Sequence, residues 1–217
     1  MFPHDPNDKK TAILVGVWTV IAERGLQGVS IRTVAQAAGV SPGRIQHYFS
    51  DKKKLIHASV VALVEGAQAA NPEALGDPSD PITLWTLLTH QLAPAAQSRS
   101  GMSVHFAYLA ASATDEWIRE FLADARRGLL AKVTQCLIAQ SPELTDARQR
   151  AVELVALADG AAQGVFLGTL TTTSAETMLH EALADVLDHC AGHLRNHSPG
   201  SSPTVAREST IRHPVTR

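Results

Sequence analysis

Polar side chains suited to nucleic-acid contacts cluster in one short stretch near the start of the chain. Arg44 can donate two parallel hydrogen bonds to guanine or to a phosphate, and Gln46 can pair with adenine. Tyr48 and His47 can reach phosphates or stack against sugars and base edges. Gly43 has no side chain, so the backbone there can approach a partner closely. Together these residue types predict contact with the major groove of DNA.

The residues around this stretch predict two short helices that would position those side chains. Ser30 is a good N-cap, and Gly39 can take the left-handed geometry that ends the helix after it. Ser41 caps a second helix, and Pro42 suits its first position because no backbone donor is needed there. We predict a recognition helix over 42–48, joined to the first helix by a tight turn, which is a helix-turn-helix.

Lysines open the helix that follows. Ile45 and Phe49 are spaced to face inward, and Asp51 caps a helix whose first residues are Lys52, Lys53 and Lys54. A cation at a helix N-terminus opposes the helix dipole at a cost of a few tenths to about 1 kcal/mol. The run therefore indicates an anion outside the protein, for which DNA phosphate is the natural candidate.

This stretch resembles the N-terminal DNA-binding domain of the TetR family of bacterial transcription regulators. The family motif has a Gly-Val-Ser turn, a Gly two residues on, an aromatic-Phe pair and a Lys opening the fourth helix. The matching residues are Ala38, Gly39, Val40, Ser41, Gly43, Ile45, Tyr48, Phe49, Lys52 and Leu55. Gln46 stands where the family often has Tyr, so no family base contact is carried over to it. With His47, Tyr48 and Phe49 after it, the spelling is more like the branch named for the choline-responsive repressor BetI.

The resemblance implies an all-α, homodimeric regulator, expected to be a repressor. Three helices would form the DNA-binding head and about six the body, and the dimer would read a pseudo-palindromic operator. A small-molecule effector in the body would respace the two heads and release the DNA. The residues expected at DNA are Arg32, Thr33, Ser41, Pro42, Gly43, Arg44, Gln46, His47, Tyr48 and Lys52.

Composition and charge agree with a helical regulator in the cytoplasm. Of 217 residues, 45% are hydrophobic, and the mean hydropathy is -0.01. Cys136 and Cys190 lie far apart, which favours reduced thiols over a disulfide or zinc framework. The apolar run after Lys9 and Lys10 has acidic neighbours and lacks a cleavage pattern, so it does not predict a signal peptide. Acidic and amide residues interrupt the apolar run over 151–170, so it does not predict a membrane span. Residues 1–55 carry a formal charge of +4 and the remainder -6, which is typical of a basic head on an acidic body.

Helical periodicity and breaker residues suggest three parts. We predict a DNA-binding domain over 1–55, an effector-binding and dimerisation domain over 56–195 and a disordered tail over 196–217. The expected body helices are 52–68, 82–97, 102–113, 115–140, 145–170 and 174–194, and Pro94 can kink or end the second of them. No alternating apolar pattern predicts a strand.

Small residues recur every fourth position in the penultimate helix and suggest a close helix contact. In the family the last two helices form a dimeric four-helix bundle, so we expect a dimer interface that includes Gly160, Gly164, Gly168, Leu183 and Leu187. Close packing inside one subunit is the alternative.

Aromatic and polar residues in the body are candidates for the effector site. Asp159 and Gln163 interrupt an apolar helix and can orient a polar or cationic group. The full candidate set is Trp85, His105, Phe106, Tyr108, Trp117, Phe121, Asp159, Gln163 and Phe166. The alternative for each is an ordinary role in the core.

Catalysis and resident cofactors find little support in the sequence. A stripe of acidic and histidine residues shares one face of the last helix, and we interpret it as solvated rather than metal-binding: Glu181, Asp185, His189, His193 and His197. No nucleophile-base pair or phosphate loop is evident. We therefore expect no catalytic residue, metal or cofactor. Two alternatives remain open: an architectural DNA binder without an effector, and a helical enzyme that carries a DNA-binding head.

Overall fold

The computed structural model describes residues 9–92 and 99–195. Within those ranges the chain forms nine α-helices and two short 3-10 turns, and no strand. The helices are α1 Lys9–Arg24, α2 Ile31–Ala38, α3 Pro42–Tyr48, α4 Lys52–Ala69, α5 Pro81–Thr89, α6 Arg99–Ala111, α7 Glu116–Gln140, α8 Ala147–Leu167 and α9 Thr172–Arg195. The all-α prediction is confirmed. The predicted tail over 196–217 lies outside the described residues.

Side-chain caps set the limits of the first helices where the sequence predicts them. The Ser30 hydroxyl accepts a hydrogen bond from the Thr33 backbone, and Thr33 returns one by accepting from the Ser30 backbone, so both donors at the start of α2 are satisfied. Gly39 ends α2 in the left-handed conformation, with φ at 63°. Ser41 then caps α3 and Asp51 caps α4.

A close helix crossing holds the head together. A Cβ on Gly16 of α1 would lie 2.9 Å from the Cβ of Ala38, at the end of α2, and 3.2 Å from the carbonyl oxygen of Val34. Only glycine lets the two backbones approach this closely. Ile45 and Phe49 are buried in the same core, so α3 is anchored by its inner face.

The apolar core of the head continues into the body. Val104 and Tyr108 of α6 and Ile118 of α7 belong to the same buried cluster as the head residues. The Tyr108 hydroxyl lies 2.6 Å from Ser59 Oγ of α4, and the Trp18 indole donates to the Ser59 carbonyl. The predicted boundary after residue 55 falls inside the continuous helix α4, which therefore contributes to both parts.

Two predicted body helices are too long. The helix expected over 82–97 ends at Thr89, where the backbone turns so that Leu92 donates to the Thr89 carbonyl. Pro94 follows shortly, and helices commonly end before a proline. The helix expected over 145–170 ends at Leu167 because Gly168 adopts a left-handed φ of 75° as its C-cap.

Among the helices of the described ranges, none is both long and apolar enough to cross a bilayer.

Candidate nucleic-acid interface

Helix α3 presents its polar face to solvent. Its exposed residues are the ones predicted from the sequence: Gly43, Arg44, Gln46, His47 and Tyr48. Tyr48 is 41% exposed although it is aromatic, because Ile45 and Phe49 occupy the inner face of the turn. A seven-residue helix with an open polar face can enter a major groove.

Ser41 and Pro42 form the N-terminal edge of that face. The Ser41 hydroxyl accepts from the Arg44 backbone at 3.2 Å, and both residues are exposed. A Cβ on Gly43 would meet no other atom within 4 Å. The protein's own packing therefore does not require glycine at position 43, and the position is open to the close approach of a partner.

The two candidates on α2 differ in their surroundings. Arg32 is exposed and can turn toward a phosphate. The Thr33 hydroxyl is already used inside the protein, since it donates to the Gly28 carbonyl at 2.9 Å and takes part in the cap of α2. Thr33 thus holds the head in shape, and its phosphate contact stays a prediction.

The lysines of α4 are exposed but have different environments. Asp51 accepts from the Lys54 backbone at 2.8 Å, and that hydrogen bond lowers the pKa of the Asp51 carboxyl. The ammonium of Lys53 lies 3.8 Å from Asp115, at the start of α7. Lys52 lies beside α3 in the sequence and is the candidate phosphate contact at this helix end.

Several effector candidates come together around α5, α6 and α8. Trp85, Phe106 and Phe166 pack against one buried cluster, and the Phe106 and Phe166 rings lie 5.0 Å apart. The ring centroids of His105 and Phe106 lie 5.5 Å apart, in an edge-to-face arrangement. Burial lowers the pKa of His105, and the negative charge of Asp159 works against that lowering.

Asp159 has two partners that sequence reasoning missed. Arg126 of α7 donates to it through two nitrogens, at 2.6 and 3.0 Å, and Gln91 donates at 3.0 Å. His90 is affected by the charges of both Asp159 and Arg126, and its burial lowers its pKa. The sequence gives no signal for this group because Asp159 is on α8, Arg126 is on α7 and Gln91 follows α5, so the residues share no spacing pattern.

The remaining effector candidates lie elsewhere. Tyr108 is buried between α4 and α6, and its burial raises its pKa. Trp117 and Phe121 stack on each other at the junction between α4 and α7. Gln163 is exposed on the outer face of α8. The structure therefore brings five of the nine candidates into one region of the body and leaves these four outside it.

Comparison with known proteins identifies the family. Residues 13–59 match the model of bacterial regulatory proteins of the tetR family, and residues 83–188 match that of the BetI-type transcriptional repressor C-terminal region. The chain belongs to the TetR family of bacterial transcription regulators. It is a DNA-binding regulator with the helix-turn-helix head that the sequence predicted.

Relatives in this family match either the head or most of the chain. The HTH-type transcriptional regulator BetI of Serratia proteamaculans (strain 568) is 25% identical, over 88% of this chain and 95% of that protein. BetI of Rhizobium meliloti (strain 1021) is also 25% identical, over 90% and 94%. The HTH-type transcriptional regulator PksA of Bacillus subtilis (strain 168) is 40% identical over 52 residues, which cover 24% of this chain and 25% of PksA.

Solved structures share the fold. A TetR-family regulator from Rhodococcus sp. superposes with a TM-score of 0.73 at 24% identity, over 83% of this chain and 100% of that one. A transcriptional regulator from Saccharomonospora viridis, solved in complex with choline, gives a TM-score of 0.67 at 25% identity, over 83% and 95%. Regulators of the TetR family bind operator DNA and small-molecule effectors, typically as dimers.

The outer surface of α8 is where this TetR-family chain exposes small and apolar residues. Val152 is 43% and Leu167 63% exposed, and between them Ala156 and Gly160 are exposed on the same face. A Cβ on Gly160 would meet no atom within 4 Å. Apart from Gln163, which is exposed on the same face, this surface consists of small and apolar side chains and suits contact with a second helix pair.

The other expected interface residues have intramolecular surroundings. Leu183 and Leu187 pack against a buried cluster within the subunit. Gly164 lies against Leu170, which folds back after the turn, and Gly168 forms that turn rather than continuing the glycine stripe. The side chains of His189 and His193 lie outside those that the structure describes, as does His197.

Proposed function

We propose that this TetR-family regulator is a repressor that binds a pseudo-palindromic operator as a homodimer and releases it when a small-molecule effector binds the body. The observation that carries the DNA-binding part is the open polar face of α3, with Gly43 and Tyr48 exposed and the inner face anchored by Ile45. The cytoplasm is the compartment that this role requires.

The DNA contacts that we propose are those predicted from the sequence. Arg44 and Gln46 contact base edges, Tyr48 and His47 contact the backbone or stack, and Lys52 and Arg32 contact phosphates. Fluorescence anisotropy on the DNA upstream of the gene, against a scrambled duplex at two salt concentrations, tests this assignment. Tight, salt-dependent binding to the upstream duplex alone supports it, and equal weak binding to both contradicts sequence-specific recognition there.

A pair of arginine variants locates the DNA-binding surface. Arg44→Gln is expected to weaken operator binding by about 1–3 kcal/mol for each half-site, and to relax specificity at one base pair of each half-site if Arg44 contacts a base. Arg148→Gln removes the same charge from an exposed position on the body and is the matched control. Tyr48→Ala is expected to abolish binding while the protein stays folded and dimeric. Retained binding would contradict the assignment of α3.

For the dimer, we propose the outer face of α8 together with α9, centred on Gly160 and flanked by Val152 and Leu167. The exposed apolar side chains and the open space around Gly160 support this surface. Sedimentation of the intact protein gives the oligomeric state, and a monomer at micromolar concentration would contradict the proposal.

For the effector, we propose a small molecule with a polar or cationic group that is held between Asp159 and the aromatic rings of Trp85, Phe106 and Phe166. An aromatic face attracts a cation, and Asp159 carries the counter-charge, shared with Arg126 in the present arrangement. The choline complex of the Saccharomonospora viridis regulator makes choline the first compound to test.

The effector experiment uses two matched aspartates. Thermal stability is measured with choline chloride against sodium chloride at equal ionic strength, for the wild type, Asp159→Asn and Asp124→Asn. Asp124 pairs with Arg127 on the surface of α7 and is the control for loss of an Asp–Arg pair. Stabilisation of the wild type and of Asp124→Asn, but not of Asp159→Asn, supports the site. Equal stabilisation of all three variants contradicts it, and no stabilisation rejects choline as the effector.

One alternative is still compatible with the DNA-binding head: an architectural DNA binder without an effector. A compound that both stabilises the protein and weakens its operator binding would reject that alternative. The helical enzyme is set aside because the chain belongs to a family of transcription regulators.

A further inference from the structure

A polar contact joins the DNA-binding head to the body at the start of α7. His57 of α4 lies with its Nε2 atom 3.0 Å from Oδ2 of Asp115, the N-cap residue of α7. The two side chains are only 16% and 23% exposed, so the contact is partly shielded from water. A shielded hydrogen bond to a carboxylate contributes more than an exposed ion pair does.

Aromatic stacking fixes the orientation of the same histidine. The imidazole of His57 lies flat on the Trp117 indole, with centroids 4.0 Å apart and planes inclined by 10°. Trp117 in turn stacks on Phe121, at 5.3 Å and 7°. The hydrogen bond from His57 is the largest of the causes that lower the pKa of the Asp115 carboxyl, which agrees with a charged Asp115 as the acceptor.

This cluster lies close to the DNA-binding end of α4. His57 is five residues after Lys52, which corresponds to about 7.5 Å along the helix axis. The ammonium of Lys53, in the first turn, lies 3.8 Å from the same carboxylate. Because α4 is continuous from Lys52 to Ala69, a rotation at His57 displaces the first turn of α4 and the recognition helix next to it.

We propose that Asp115, a residue of the body, is a positioning residue for DNA binding. Through His57, and with Trp117 stacked on that ring, it fixes the angle at which α4 leaves the body and therefore the separation of the two heads in the dimer. The inference rests on the proposed function, since it concerns how a dimer matches two half-sites.

The sign of the expected effect separates positioning from charge. A carboxylate close to DNA repels phosphates, so its removal strengthens binding if charge alone matters. If Asp115 positions α4, its removal weakens binding instead. Asp115→Asn is a suitable change because asparagine is as good an N-cap as aspartate, and α7 keeps its first hydrogen bond, from the Ile118 backbone.

The neighbouring Glu116 supplies the control. It is exposed, pairs with Arg119 along its own helix, and lies one residue from Asp115. Glu116→Gln removes one negative charge from nearly the same place without touching His57. Both variants, His57→Gln and the double variant His57→Gln/Asp115→Asn are measured as full-length proteins on operator duplexes with the native half-site separation and with one base pair inserted.

We expect Asp115→Asn to bind the native duplex about tenfold more weakly, the effect of losing one charged hydrogen bond. We also expect it to lose much of its preference for the native separation, which a merely structural defect would leave intact. Glu116→Gln should stay within about twofold of the wild type, or bind more tightly. The double variant should be no weaker than Asp115→Asn, because the two residues act as one unit.

Two results would overturn the inference. One is an Asp115→Asn protein that keeps the wild-type preference for half-site separation, whether it binds as tightly as Glu116→Gln or more weakly. The other is additive losses in the double variant. A wild-type protein that binds none of the duplexes contradicts the proposed function, and the inference then fails with it.

Discussion

Replacing Gly43 with alanine should make the protein more stable and its DNA binding weaker. Gly43 is the second residue of α3, and a Cβ there would meet no atom of the protein within 4 Å. The change therefore introduces no clash in the free protein. It adds a methyl group at the N-terminal end of the face expected to approach DNA.

The two effects have different sizes. Alanine is favoured over glycine in a helix by about 0.5–1 kcal/mol, which in a chain of this size raises the melting temperature by roughly 1–4 °C. A methyl group forced into a close contact costs about 1–3 kcal/mol, and 1.4 kcal/mol corresponds to about tenfold in affinity. We expect a loss of about tenfold or more in operator affinity from a protein that melts at a higher temperature.

Gly128→Ala is the matched control for this change. Gly128 is an exposed helical residue of α7 whose Cβ would also meet nothing within 4 Å. Both variants are measured by thermal unfolding and by anisotropy on the same duplex at one salt concentration. Both should gain stability and only Gly43→Ala should lose affinity. A Gly43→Ala protein that binds DNA as the wild type does would refute the close approach of the backbone to DNA at this position.

Three further predictions concern the body. Tyr108→Phe removes the hydroxyl that is hydrogen-bonded to Ser59, whose own hydroxyl still donates to the Ile56 carbonyl. We therefore expect the free energy of unfolding to fall by about 1 kcal/mol and the melting temperature by about 2–4 °C. An unchanged melting temperature would contradict this. Gly160→Glu places a charge on the proposed dimer surface and should yield monomers in sedimentation, whereas Gly128→Glu should not; a dimeric Gly160→Glu protein would move the interface elsewhere. Burial lowers the pKa of His90 and His105 below their ordinary value of 6.5, so the unfolded chain binds more protons than the folded one. The free energy of unfolding should therefore be highest above pH 6.5 and should fall as the pH drops below that value. The urea midpoints at pH 7.5 and 5.5 measure this, and the difference between them should be smaller in His105→Gln.

The head could be predicted from the sequence because its determinants are local. Ser30, Gly39, Ser41 and Asp51 act on backbone groups within a few residues, and the helix limits of α3 follow from them. The exposed and buried faces of a seven-residue helix then follow from its periodicity. The sequence could not show that the Thr33 hydroxyl is used within the head, since that depends on the turn at Gly28.

The body was predicted less well because its determinants are distant along the chain. Tyr108, Trp117 and Trp85 look alike in the sequence, yet the structure places them in the head core, at the head–body junction and in the aromatic cluster of the body. The partners that decide this are Ser59 for Tyr108, His57 for Trp117, and, for Trp85, the buried cluster that Phe106 and Phe166 also contact. Gly168 fitted a stripe of glycines at spacing four, although its freedom to adopt positive φ ends the helix there.

The lysine run shows how a correct argument about a helix end still needs the structure. Three cations against the helix dipole indicate an anion, but Lys53 already faces one, since its ammonium lies 3.8 Å from Asp115. An external phosphate is therefore a better-supported partner for the Lys52 ammonium than for that of Lys53. A lysine that neutralises one phosphate contributes about 0.9 to the slope of log affinity against log salt concentration. Because a homodimer carries two copies of each lysine, we expect Lys52→Gln to reduce that slope by about two, one for each subunit, and Lys53→Gln to reduce it by clearly less. Equal reductions would mean that Lys53 leaves Asp115 for a phosphate when DNA binds.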